Sequence, residues 1–229
     1  MREGEAVTGM DERIENARRL YDRAVFDGDT GALAQATWDL DGVDADLALA
    51  RGRILHVRFL YQRDAGSGQA TEDPEELPLF ERAVLLYQAL GAVGGEAEAL
   101  FWVGCFHQVV RRDNDTAVPL LDRSLELAAQ AGDKTTMAEA LRHLGIAAHA
   151  AGRLDEARAR LEESTRLRKD LGQQAGVAAN MVGLGYIAAG QGRRDDALAI
   201  LAEAADLATA SGAHRILHSV EEAQAALAD

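Results

Sequence analysis

Small residues recur along this chain in three columns that share a period of about 40 positions. The first column consists of four glycines, Gly91, Gly132, Gly172 and Gly212. The other two columns consist of Gly104, Gly145 and Gly185, and of Ala117, Ala157 and Ala197. Because a fixed period of roughly 20–50 residues is typical of solenoids and other arrays, the spacing predicts a repeat architecture.

Each period reads as two helices joined by a short turn. Apolar residues fall at helical spacing at Leu141, Leu144 and Ala148, and again at Ala157 and Leu161. The first glycine column ends the pair, because glycine tolerates the left-handed conformation favoured at a helix C-terminus. A glycine inside a helix costs about 1 kcal/mol relative to alanine. We therefore expect the paired helix to approach closely at the second glycine column.

These positions resemble the tetratricopeptide repeat, whose pattern is W-x2-L-G-x2-Y followed by A-x3-F. Leu141, Leu144, Gly145 and Ala148 occupy the first part of the pattern, and Ala157 and Leu161 the second. The aromatic positions of the pattern are occupied here by aliphatic residues, alanine or histidine, and the period is longer than the roughly 34 residues usual for the family. The resemblance is to the long-repeat variants of bacterial regulatory proteins. It implies an all-α, right-handed superhelix of antiparallel helix pairs, with a HEAT-like α-solenoid as the alternative.

The expected domain is one solenoid over 10–229, preceded by a disordered stretch at 1–9. The sequence predicts a helical pair over 10–43, with helices at 11–27 and 30–40, and a degenerate repeat over 44–93. That repeat would hold helices at 44–62 and 72–91, joined by a polar loop at 64–73. Clear repeats and a capping helix follow at 94–133, 134–173, 174–212 and 213–229.

Charge and composition argue against several classes of partner. The formal net charge is −14, whereas binding to nucleic acid or to an anionic membrane needs a cationic face. The single cysteine, Cys105, excludes an internal disulfide and a cysteine-based zinc site. The N-terminal residues are polar and no long apolar run is present, so we expect a cytoplasmic protein without a membrane span.

The resemblance implies that the first helix of each pair lines a concave groove, at positions 2, 5, 9 and 12 of each unit. This spacing keeps the four side chains on one helical face. The predicted groove residues are Glu98, Phe101, Cys105 and Gln108, then Glu139, Arg142, Ile146 and His149, then Ala179, Val182, Tyr186 and Ala189. The degenerate repeat adds Arg53 and His56. For each residue the alternative is simple packing between helices.

No catalytic or metal-binding constellation is recognisable. Cys105 and His107 point to opposite sides of one helix, so they cannot form a thiolate–imidazole pair with each other. His214 and His218 share a helix face but have no third ligand at a recognisable spacing. The sequence predicts neither a metal nor a cofactor. Arg51, Arg53, Arg58 and Arg63 form a basic stretch, suited to an acidic partner or to acidic residues of the same chain.

The predicted function is a scaffold that holds a peptide, a protein segment or a small ligand, in bacterial regulation or complex assembly. Arg142 can bind a carboxylate through two parallel hydrogen bonds. One alternative is an enzyme or accessory protein with a ligand pocket at 101–108, where aromatic residues cluster beside Cys105 and His107. The other is a structural protein whose terminal helices form an oligomer, such as a homodimer.

Overall fold

A computed structural model describes residues 9–64 and 70–228 of the chain, and the described residues form ten α-helices and no strand. The expected disorder of 1–9 therefore lies almost wholly outside the described residues, as does half of the 64–73 loop, residues 65–69. The helices are α1 (Glu12–Phe26), α2 (Gly31–Asp64), α3 (Glu76–Leu90), α4 (Val93–Val109), α5 (Asn114–Ala131), α6 (Lys134–Ala150), α7 (Leu154–Asp170), α8 (Gln174–Gly190), α9 (Arg194–Ala210) and α10 (His214–Ala228). The all-α prediction is confirmed. None of the described helices is long and apolar enough to cross a membrane.

The described residues fall into two compact units, with the boundary after Gly95, inside α4. Unit 1 runs up to Gly95 and unit 2 starts at Glu96. The finer division into repeats stays a prediction.

Unit 1 differs from the sequence prediction in one element. Helices were expected at 30–40 and 44–62, but α2 is a single helix of 34 residues. Helix α1 packs on its first half through Ala17, Leu20, Ala32 and Ala36. Helix α3 packs on its second half, where the fully buried Phe80 lies against Gly52. Packing on both halves overrides the weak helix propensity of Gly42, which costs only about 1 kcal/mol.

Unit 2 consists of consecutive antiparallel helix pairs closed by α10, which contacts α8 and α9. Its glycines behave as the repeat predicted. Gly132 ends α5 with a φ of 69°, and Gly172 follows α7 with a φ of 71°. Inside α6, a Cβ at Gly145 would lie 3.0 Å from Leu161 Cγ of the paired α7, which confirms the expected close approach.

Buried serines at equivalent positions form hydrogen bonds between the two helices of a pair. Ser124 Oγ donates to the carbonyl oxygen of Ala97 at 2.7 Å, and Ser164 Oγ donates to that of Ala138 at 2.6 Å. Both serines are fully buried. These bonds and the glycine contacts hold the first helix of each pair in a fixed position, which is what places the groove residues.

Candidate functional site

A pocket of about 230 Å³ lies in unit 2 between α6 and α8. Six predicted groove residues line it, namely Arg142, Ile146, His149, Ala179, Val182 and Tyr186. The remaining lining residues are Leu161, Gly183, Ile216 and Ser219. The structure thus brings together predicted residues from two successive first helices, with contributions from α7 and α10.

Helical spacing explains why these side chains converge. Arg142, Ile146 and His149 are four and three positions apart on α6, and Val182 and Tyr186 are four apart on α8. Residues at such intervals share one helix face. Ile146 is 39% exposed and Tyr186 38% exposed, although both are large and apolar. The pocket therefore has accessible apolar walls beside a cationic group.

Arg142 is the only cationic side chain in this pocket lining apart from the titratable His149. Its Nη1 donates to Asn180 Oδ1 at 2.9 Å, and among the described residues it forms no ion pair. Burial lowers the pKa of the Arg142 guanidinium, and the nearby positive charge of Arg168 lowers it further. A guanidinium has five N–H donors, so an incoming carboxylate would find donors available here and would offset the cost of burial.

A short hydrogen-bonded chain fixes the position of Arg142. Asn180 accepts from Arg142, and its Nδ2 donates to Ser164 Oγ at 2.8 Å, which in turn donates to the Ala138 carbonyl. Asn180 and Ser164 are fully buried. Sequence reasoning missed both. The signal available was an amide in the otherwise apolar stretch of α8, where a polar residue must find partners.

The predicted groove residue Glu139 has a different role in the structure. Its Oε2 lies 2.7 Å from Nη2 of Arg168, a nearly buried arginine of α7. Glu139 therefore forms its ion pair with Arg168, while its negative charge also acts on Arg142 and partly opposes the lowering of the Arg142 pKa. Glu98, on α4, is half-buried and does not line the pocket.

Phe101, Cys105 and Gln108 lie in the core between α4 and α6, around His143. The Phe101 ring meets the His143 ring edge-on at 5.2 Å, and Gln108 Oε1 lies 2.6 Å from His143 Nδ1. Cys105 Sγ lies 3.9 Å from His143 Nε2, so the thiol, imidazole and amide form a row. With Cys105 only 3% exposed, a substrate has no direct approach to the thiol. We assign the row to packing, as is usual for a buried cysteine.

The two predicted groove residues of unit 1 both lie on α2, but they differ in their exposure to solvent. Arg53 is exposed, whereas His56 is 3% exposed and faces Glu76 of α3. His56 Nδ1 lies 2.7 Å from Glu76 Oε1. No group of three or more metal-ligating side chains occurs among residues 9–64 and 70–228.

Comparison with known proteins places part of the chain in a family. Residues 97–170, from α4 to the end of α7, match the family model described as the tetratricopeptide repeat. No curated protein matches the chain. The solved structures that resemble it include the crystal structure of BtubC (BKLC) from P. vanneervenii, at 17% identity and a TM-score of 0.48. That match covers 88% of this chain and 90% of that one. Residues 97–170 are therefore the part of the chain that is similar to the tetratricopeptide repeat family.

Proposed function

We propose that unit 2 is a protein-binding scaffold and that its α6–α8 pocket receives a carboxylate of a partner segment. The observation that carries the proposal is Arg142, a half-buried cation with no ion-pair partner among the described residues, in a pocket with accessible apolar walls. Tetratricopeptide repeats are in general protein-interaction scaffolds, which agrees with this role.

The size of the pocket favours a protein segment over a separate small ligand. Its volume of about 230 Å³ is below the roughly 300–1,000 Å³ typical of small-molecule sites. A pocket of this size suits one anchoring side chain or a chain end, while the rest of the segment lies outside. Ile146 and Tyr186, both partly exposed, would contact the apolar part of the same segment.

The test starts from peptides selected on the wild-type protein from a randomised display library. Affinities of the selected peptides are then measured by calorimetry for Arg142→Gln, Tyr186→Ala and the control Lys169→Gln. Because hydrogen bonds to charged groups contribute about 1.5–3 kcal/mol, Arg142→Gln should weaken binding by roughly tenfold or more. Lys169→Gln removes one positive charge from an exposed position on α7 and should leave the affinity unchanged.

Two further outcomes decide the assignment. Replacing the carboxylates of a selected peptide by amides should reproduce the effect of Arg142→Gln. If selected peptides bind both pocket variants as tightly as wild type, the α6–α8 pocket is not the binding site. A role in bacterial regulation or complex assembly, a cytoplasmic location and a homodimer stay predictions.

A further inference from the structure

Unit 1 contains a second and larger groove, between the second half of α2 and the start of α3. Its volume is about 780 Å³. The apolar part of its lining comes from Ile54 and Leu55 of α2 and from Pro78 and Leu79 of α3. Ile54 is 55% exposed. The groove therefore offers a continuous apolar floor that the described part of unit 1 leaves uncovered.

Three arginines line this floor. Arg51 and Arg58 lie on α2 on either side of Ile54 and Leu55, and Arg82 lies across the groove on α3. Arg82 is paired with Asp44, whereas Arg51 and Arg58 form no ion pair among the described residues. Glu75 is the one acidic residue in the lining. In a chain with a net charge of −14, this is a local cationic site.

The spacing of the lining residues has the geometry of a helix-binding face. Arg51, Ile54, Leu55 and Arg58 stand at i, i+3, i+4 and i+7, so they share one side of α2. The two arginines are two helical turns apart, about 10 Å along the axis. A partner helix with two carboxylates at the same interval and apolar residues between them would meet both arginines and the apolar floor.

The exposed surface of α2 carries a line of apolar side chains spaced seven residues apart, namely Leu47, Ile54 and Tyr61. They are 45%, 55% and 61% exposed. An apolar residue every seven positions is the pattern by which two helices pack along their length. This line supports an elongated helical partner rather than a compact small molecule.

We infer that the α2–α3 groove binds an amphipathic helix of another protein, whose apolar face is flanked by acidic residues. Charge complementarity selects this occupant over a second copy of the chain. Two copies meeting groove to groove would bring Arg51 and Arg58 of both copies into one interface, because a two-fold contact uses the same patch twice. Like charges placed together in that way oppose association.

The test uses fluorescein-labelled helical peptides of about 20 residues, long enough to fold on binding. The acidic probe has the pattern Glu-x-x-Leu-Leu-x-x-Glu, and its two controls carry Lys for Glu or Ser for Leu. Affinity is measured by fluorescence anisotropy. The protein variants are a double variant that carries both Arg51→Gln and Arg58→Gln, a single variant Ile54→Asp, and two controls. The control for the loss of two positive charges is a double variant that carries Lys169→Gln and Arg194→Gln, both at exposed positions. The control for the introduced aspartate is Leu85→Asp, at an exposed apolar site outside the groove lining.

The acidic probe should bind wild type, and its affinity should fall as salt rises, because exposed charges are screened within about 10 Å at 0.1 M salt. Replacing both groove arginines should weaken binding by about tenfold, since two exposed ion pairs with the probe are lost. Ile54→Asp should weaken it further, while both controls, and Tyr186→Ala in unit 2, should bind as wild type does. Circular dichroism establishes that each variant is folded.

Three outcomes would overturn the inference. The first is equal binding of the acidic and lysine probes, or no binding of the acidic one. The second is unchanged affinity in the double arginine variant. The third is a dimer in light scattering that Ile54→Asp dissociates, which would make the groove a contact between copies of this chain.

Discussion

At the residue scale, glycine sets the distance between the two helices of a pair. A Cβ at Gly104 would lie 2.9 Å from Leu121 Cγ and 3.3 Å from the carbonyl oxygen of Ala117. A real Cβ essentially never lies within 3.0 Å of a neighbouring atom, so the packing of α4 on α5 at their observed separation favours glycine at this position. The helix-propensity cost of about 1 kcal/mol is offset by this close packing.

We expect Gly104→Ala to lower the free energy of unfolding by about 1–3 kcal/mol, because the added methyl overpacks a filled core. The control is Gly190→Ala, at the end of α8, where the nearest atom would be 3.4 Å away. There the alanine should be neutral or stabilising by up to about 1 kcal/mol. Urea unfolding followed by circular dichroism measures both. A stabilised Gly104→Ala would contradict the packing role of this glycine.

Individual residues also show how much of the candidate site could be predicted from the sequence. Arg142 and Tyr186 follow from the repeat register, because a fixed spacing assigns each position to a helix face. Asn180 does not follow from it, because its hydrogen bonds run to Arg142 and Ser164, which are 38 and 16 positions away. Phe101 and Cys105 occupy the same register positions as pocket residues, yet the packing of His143 against them leaves both buried.

At the element scale, α2 shows how tertiary contacts decide where a helix ends. The sequence around Asp41 and Gly42 suggests a break, and the capping preferences of such residues support one locally. In the structure α2 continues through this stretch, with Asp46 held by Arg13 of α1 and by the hydroxyl of Tyr87 of α3. Partners on both sides therefore join two predicted helices into one.

The contact between α2 and α3 can be tested at the buried pair of His56 and Glu76. Glu76 is fully buried in the first turn of α3, and its Oε1 lies 2.7 Å from Nδ1 of His56 on α2. We expect Glu76→Ala to lower the free energy of unfolding by about 3 kcal/mol, because it removes this bond and leaves a cavity. The exposed neighbour Glu75→Ala should change it by no more than about 0.5 kcal/mol. Equal effects in urea unfolding would rule out a structural role for the pair.

At the scale of the whole molecule, the chain combines a repeat scaffold with a strongly acidic balance. The net charge of −14 opposes contact with phosphate backbones, whose binding depends on displacing cations by lysine and arginine. The cationic side chains near the α2–α3 groove are few, and Arg82 there is already paired with Asp44. Local arginines without an ion pair among the described residues, Arg142 in one proposed site and Arg51 and Arg58 in the other, are what favour protein partners with acidic segments.

We accordingly expect no binding to duplex DNA at about 0.15 M salt, a concentration at which cationic proteins still bind DNA non-specifically. Fluorescence anisotropy with a labelled duplex measures this. The acidic helical peptide, titrated in the same buffer, serves as the control for active protein. Binding that weakens steeply as salt rises would show a phosphate-binding face and would contradict the expectation.

The sequence by itself determined the repeat period, the helix pairs of unit 2, the glycines between them and the face of α6 and α8 that carries Arg142 and Tyr186. These features depend on spacing along one or two helices, which local periodicity records. Only the tertiary structure decided that α2 is continuous, that Cys105 is buried beside His143, that Asn180 positions Arg142, and that Arg51 and Arg58 flank an open groove. The physical reason is that exposure and hydrogen-bond partners are set by side chains far away in the sequence, whose size and position matter only once the helices have packed.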